Sequence, residues 1–116
     1  MARLDSVVAG DVNVERARML PEFGSLEDGT SGQSADVVAH IWRGNVDPVE
    51  LDCMVDDPDT CQFTIDFGDY DGWLANDAEQ GVWLIEYQAT FSDGTIVTAP
   101  ATWPDEIYVR ADHDPE

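Results

Sequence analysis

From Asp36 onward the chain alternates. In "DVVAHIWRG", Val37, Ala39 and Ile41 fall on one side while Val38, His40 and Trp42 fall on the other. Apolar residues on both sides predict a strand covered on both faces, and so a central one. After the turn "NVDP", "VELDCMV" sets Val49, Leu51, Cys53 and Val55 against Glu50, Asp52 and Met54. "CQFTIDF" then sets Cys61, Phe63, Ile65 and Phe67 against Gln62, Thr64 and Asp66. A period of two predicts a pair of strands that bury their odd-numbered residues. With "DDPD" as the turn between them, Cys53 faces Cys61, Leu51 faces Phe63 and Val49 faces Ile65, one register that satisfies both patterns.

The best-specified stretch is "GVWLIEYQATFSDGTIVTAP", from Gly81 to Pro100. Trp83, Ile85, Tyr87, Ala89 and Phe91 share a face, Asp93 and Gly94 form the turn, and Ile96 to Thr98 return. Asp-Gly between alternating runs is the strongest short-range hairpin signal. "EIYVR" predicts a closing strand, and "ADHDPE" a frayed tail. Ahead of the alternating region, "VVAGDVNVERARML" alternates only in part, with Val12 and Val14 on one side, and reads as a strand or a short helix. "PEFGSLEDGTSGQSA", Pro21 to Ala35, reads as a long acidic loop pinned by Phe23 and Leu26. "GDYDGWLANDAEQG" reads as a connection with one helical turn around Trp73 and Leu74.

Short strands, tight turns and little helix predict an all-β fold: an Ig-like antiparallel β-sandwich with a loop-rich N-terminal segment. The Cys, Trp, Cys spacing of true immunoglobulin domains is absent. The 116 residues suffice for one core. The division expected is an N-terminal arm and acidic loop over residues 1–35 packed on the sandwich, a sandwich core over 36–112 and a frayed tail over 113–116.

Composition changes the picture of the surroundings. Asp and Glu number 25 against five basic residues, for a net charge of −20. All five are arginine, and lysine is absent. Such a surface repels phosphates and anionic lipid, which argues against nucleic-acid and membrane partners. In molar salt the Debye length falls to about 3 Å, so the repulsion is screened and the carboxylates keep the surface hydrated. The composition, with no lysine, is that expected of a protein from an extreme halophile, against the competing reading of an ordinary acidic mesophilic protein. No apolar run reaches the length of a membrane span, and the first twenty residues lack the apolar centre of a signal peptide.

Candidate chemistry is sparse. Cys53 and Cys61, placed opposite one another, would form a cross-strand disulfide or stand as two buried thiols. Their spacing suits neither zinc nor a redox motif, and His40 and His113 are remote in sequence. The acids of "DDPD" (Asp56, Asp57, Asp59) and of "DFGDYDG" (Asp66, Asp69, Asp71) are candidate ligands for a structural Ca²⁺ or Mg²⁺, without the fuller calcium loop or its closing Glu. Otherwise no cofactor is expected. No nucleophile elbow, phosphate-binding loop or zinc-protease motif is present, so no enzyme is expected. His40 reads as a half-buried packing residue and His113 as solvated. Of four tryptophans, Trp83 is in phase with the core. Trp103, between prolines in "PATWP", cannot sit inside a regular central strand; it either covers the end of the fold or anchors a neighbour.

"ADVVAHIW", the acidic hairpin and the run from Gly81 through Trp83, Tyr87, Asp93, Gly94, Thr98 and Pro100 to "IYVRAD" resemble small Ig-like β-sandwich proteins of tailed viruses. The N-terminal domain of baseplate upper proteins and capsid decorations are among them. The resemblance spans about Asp36 to Asp112; the acidic loop and N-terminus depart from it. With the acidic composition, it implies a virion component of a virus infecting haloarchaea, made in the host cytoplasm. The partners implied are other capsid, tail or baseplate proteins in a symmetric oligomer or array. The interface candidates are Trp103, Asp93, Gly94, Phe23 and Leu26. Two other readings compete: a carbohydrate- or receptor-binding module presenting exposed aromatics, with or without Ca²⁺, and a small hydrolase with His40 and acids in a pocket.

Overall fold

The alternation of residues 36–43 becomes the middle of the sheet. The computed structural model describes residues 4, 6–8, 11, 14–29, 33–44, 46–68 and 81–110. Among them are eight strands: β1 (Val7–Val8), β2 (Val14–Met19), β3 (Asp36–Arg43), β4 (Val46–Asp57), β5 (Gln62–Gly68), β6 (Gly81–Thr90), β7 (Ile96–Ala99) and β8 (Asp105–Arg110). A 3-10 helix, Pro21–Phe23, interrupts the acidic loop. The sheet runs β1-β8-β6-β3-β4-β5-β2, with β7 also paired to β6. All pairs are antiparallel except β1 on β8.

The all-β expectation therefore holds, but the strands form one nearly closed, barrel-like mixed sheet and not clearly a two-sheet sandwich. The reason lies in β4. Up to Asp52 it pairs with β3, and from Cys53 it pairs with β5, so one twelve-residue strand carries the hydrogen bonding around the corner. The N-terminal segment does not merely pack on the fold. β1 extends the β8 end of the sheet and β2 the β5 end.

Burial follows the predicted phase in β5 and β6, and in β3 it selects one of two apolar sides. Val37, Ala39 and Ile41 of β3, Phe63, Ile65 and Phe67 of β5, and Trp83, Ile85, Tyr87 and Ala89 of β6 are buried in one core. Phe63 lies at its centre, edge-on to Tyr87 at 5.1 Å and to Phe23 at 6.3 Å between ring centroids, a geometry that aromatic quadrupoles favour.

The β4–β5 register differs from the expected one. Cys53 faces Ile65 and Val55 faces Phe63, with a slip before Asp57. The strand runs on through the two aspartates. Asp56 accepts a hydrogen bond from Thr64 Oγ1 at 2.6 Å and Asp57 Oδ1 accepts one from the Asp59 amide. The turn thus falls two residues later, ending on Cys61 at φ 59°. Both registers pair odd residues with odd ones, so the hydrophobic pattern could not choose between them. Cys53 and Cys61 are free thiols, the second of the two arrangements considered for them. In denaturant the chain is expected to release two reactive thiols to a chromogenic disulfide reagent. The native protein should react slowly, because Cys61 is 1% exposed and Cys53 half-buried and burial raises both thiol pKa values. Fewer than two thiols after unfolding would restore the disulfide.

The β6–β7 hairpin forms as predicted. Its turn has the Gly94 amide donating to Phe91 O at 3.0 Å, followed by Gly94 itself at φ 92°, a conformation that glycine takes without strain. Gly81, at φ 132°, also holds a backbone conformation that side chains rarely adopt, and the Arg43 guanidinium, the end of a flexible side chain, lies against it.

Candidate functional site

The sequence-predicted candidates are not brought to one place. Asp93 and Gly94 lie on the exposed hairpin tip. The Asp93 carboxylate accepts a hydrogen bond from the Thr95 amide at 2.8 Å, and bonding to Thr95 holds its pKa below the ordinary carboxylate value. Ser92 beside it donates twice to Asp28, from its amide at 3.0 Å and its hydroxyl at 2.9 Å, which ties the tip to the acidic loop. Trp103 is 57% exposed on the connection from β7 to β8. Phe23 and Leu26 are core residues, 7% and 0% exposed. They offer no surface to a neighbour and instead pin the loop, with the Leu26 amide donating to Pro58 O at 2.8 Å.

Of the metal candidates, Asp66 is exposed on β5, and its Oδ1 accepts the Gly68 amide at 2.9 Å. Asp69 and Asp71 lie outside the described residues, as do Trp73, Leu74 and His113. Among the described residues no group of three or more His, Cys, Asp or Glu side chains is arranged to hold a metal. His40 is half-buried on the outer face of β3, 3.8 Å from Glu50.

That outer face carries the contiguous apolar surface. Tyr108 of β8 lies opposite Val82 of β6, and the next row joins Leu84 of β6 to Trp42 of β3. Tyr108 and Val82 are 40% and 43% exposed. Leu84 and Trp42 are half-buried. Glu106 and Arg110 share the outward side of β8 with Tyr108.

The feature that sequence reasoning missed is internal. Asp105 opens β8 in phase with buried Ile107 and Val109 and is itself 0% exposed. Arg18 of β2 grips it twice, Nε to Oδ2 at 2.6 Å and Nη2 to Oδ1 at 3.0 Å. The Tyr87 hydroxyl donates to Oδ2 at 2.8 Å. A charge-assisted, two-pronged bond of this kind is strong and directional, and here it joins the two ends of the sheet. The hydrogen bond to Asp105 raises the Arg18 pKa. Beside it, the Arg16 Nη2 donates to Ser6 O at 2.9 Å, bridging from β2 to the residue before β1. The signal was present in the sequence: an acid in phase with two apolar residues, and two arginines in phase with Val14.

Burial, then the charge of Asp105, pushes the Tyr87 hydroxyl well above its ordinary value of 10.0. Burial, then the charge of Asp52, pushes the Cys53 thiol from 9.0 up to about 12. Both groups keep their protons in the folded state at a pH where the unfolded chain loses them. Their stabilisation is complete below about pH 8, where the unfolded thiol and phenol both keep their protons, and is lost as pH climbs toward about 12. The urea midpoint is therefore expected to fall steadily between about pH 8 and about pH 10.5, read by tryptophan fluorescence at fixed salt. A flat profile would contradict the burial of both groups.

Compared with known protein families, with curated proteins and with solved structures, the chain has no significant match.

Proposed function

We propose that this chain is a non-enzymatic structural component of a tailed-virus particle, a tail or baseplate adaptor or a capsid decoration, that works by protein–protein assembly in high salt. The observation that carries the reading is the apolar band Tyr108, Val82, Leu84 and Trp42 across three strands, on a chain whose net charge is −20. Contiguous apolar surface rimmed by polar groups marks interaction sites on soluble proteins, and aromatic residues are enriched where protein surfaces meet. Trp103, more than half exposed, is a second anchor. Molar salt screens the repulsion between acidic copies and lets such surfaces meet. The Ig-like affinity belongs to the same reading and is supported by the all-β strand content and by the resemblance over about Asp36 to Asp112. Exposed Tyr108 and Trp103 also suit stacking on saccharide rings, the alternative reading.

The test uses an antibody raised against the purified chain, applied to tailed particles from a culture carrying its gene and viewed by electron microscopy. Labelling at a fixed position on the particle is expected. Unlabelled particles, together with millimolar or tighter binding of the chain to host-surface glycans, would overturn the reading in favour of the saccharide module.

A further inference from the structure

Among the described strands, β2 alone buries none of its residues. Its inward positions are Val14, Arg16 and Arg18, all half-buried, and Glu15, Ala17 and Met19 are exposed. Every other strand places at least one side chain in the core. β2 is held to β5 by its ladder, from Val14 on Gly68 to Met19 on Gln62, and to the rest of the fold by the Arg18–Asp105 grip. On its other edge two backbone carbonyls are capped by its own side chains: Glu15 O by Arg16 Nη1 at 2.8 Å and Met19 O by Arg18 Nη1 at 2.9 Å. An edge capped in this way resists further strand addition while the strand is docked.

The strand beneath is the opposite. β5 buries Phe63, Ile65 and Phe67 completely, so it stays in the core whether or not β2 covers its edge. Releasing β2 exposes little apolar surface of its own, so that the apolar cost of release falls on β1 and its buried Val7, and it opens a row of backbone donors and acceptors on β5. The chain then continues through Leu20 to Pro21, the first residue of the 3-10 helix, where the fixed φ of proline restricts the turn.

We infer that the N-terminal strands form an exchangeable strap: β2 leaves its own β5 and docks, in the same register, on the β5 of a second copy, with Arg18 as the latch and with β1 leaving its own β8 for that of the same second copy. The occupant follows from the geometry. A second copy's β2 has the same residues to match Gly68 through Gln62 and the same arginine to reach Asp105. Exchange of an identical element is a low-cost route between monomer and oligomer, because every bond broken is remade. The inference rests on the assembly reading for its use in a particle, not for its geometry.

The test uses full-length chains. Ala17 and Thr64 are direct partners across β2 and β5, close enough for a disulfide between cysteines at those positions. One preparation carries Ala17→Cys and the other Thr64→Cys, and the two are mixed in molar KCl under mild oxidation. Exchange predicts a cross-linked heterodimer at least about tenfold more abundant than in a control mixture of Ala17→Cys with Ser92→Cys, because docking raises the effective thiol concentration. Adding Asp105→Asn to both chains, which keeps the packing but weakens the latch, speeds heterodimer formation several-fold. Equal yields in test and control mixtures would overturn the inference.

Deuterium exchange on the unaltered protein gives an independent reading. Amides of β2 are expected to exchange faster than those of β3 and β6, and equal protection would also count against the strap. Heterodimers with unlabelled particles and glycan binding would leave the exchange standing and sink the virion reading. Labelling without heterodimers would do the reverse.

Discussion

Phe63→Ala is expected to lower the unfolding free energy by about 3–5 kcal/mol, the range for truncating a fully buried aromatic. That is a large part of the roughly 5–15 kcal/mol typical of a whole domain. Phe63 is 0% exposed and touches rings from two other parts of the chain, Tyr87 on β6 and Phe23 in the 3-10 helix. Its removal leaves a cavity bounded by strands that cannot all move inward, since β5 is hydrogen-bonded on both edges. Phe63→Leu keeps most of the volume and should lose about 1–2 kcal/mol. Urea unfolding in molar salt, at unchanged slope, checks both values. A loss below about 1 kcal/mol for the alanine variant would mean that Phe63 is not at the centre of the core.

Arg18→Met is expected to be nearly as damaging, by about 3–5 kcal/mol, because it leaves the Asp105 carboxylate buried without its cation. Asp105 has no route to water at 0% exposure, whereas the Arg18 side chain is 19% exposed. Removing the arginine should therefore hurt more than neutralising the acid. Asp105→Asn keeps an acceptor for the Tyr87 hydroxyl and should lose about 1–2 kcal/mol. The double variant should be more stable than the sum of the two single losses implies, since the charge left stranded by one change is removed by the other. Equal losses for the two single variants, or strict additivity, would show that the pair is not the coupled clasp its geometry describes.

The two variants probe different joints. Phe63 ties β5 to the loop helix and β6 through packing alone, and its loss loosens the whole molecule. Arg18 ties β2 to β8 across the seam through a charge-assisted, hydrogen-bonded ion pair. Its loss should fall first on the N-terminal strap, so deuterium uptake in β2 should rise before uptake in β3 does.

The sequence by itself determined which residues face inward. Period-two alternation in residues 49–55, 61–67 and 83–91 states the phase of β4, β5 and β6, whereas residues 36–43, apolar on both sides, left the inward side of β3 open. Every position expected in the β5 and β6 core is buried, save Phe91 at the end of its run, which is half-buried. The Asp-Gly hairpin was equally legible, because Gly94 supplies a backbone conformation that few other residues adopt.

What alternation cannot state is register and closure. Shifting β5 along β4 by an even number of residues preserves every inward face, so only the position of the turn, decided by hydrogen bonds to Asp56 and Asp57, separated the expected pairing from the observed one. Nor can a local pattern say that β4 will bend from one neighbour to another, or that β1 and β2, close in sequence, will join opposite ends of the sheet. The Arg18–Asp105 grip spans 87 residues. Each partner alone looks like one more charged residue in an acidic chain, and only the tertiary fold, by burying the acid and bringing the arginine to it, turns the two into a clasp.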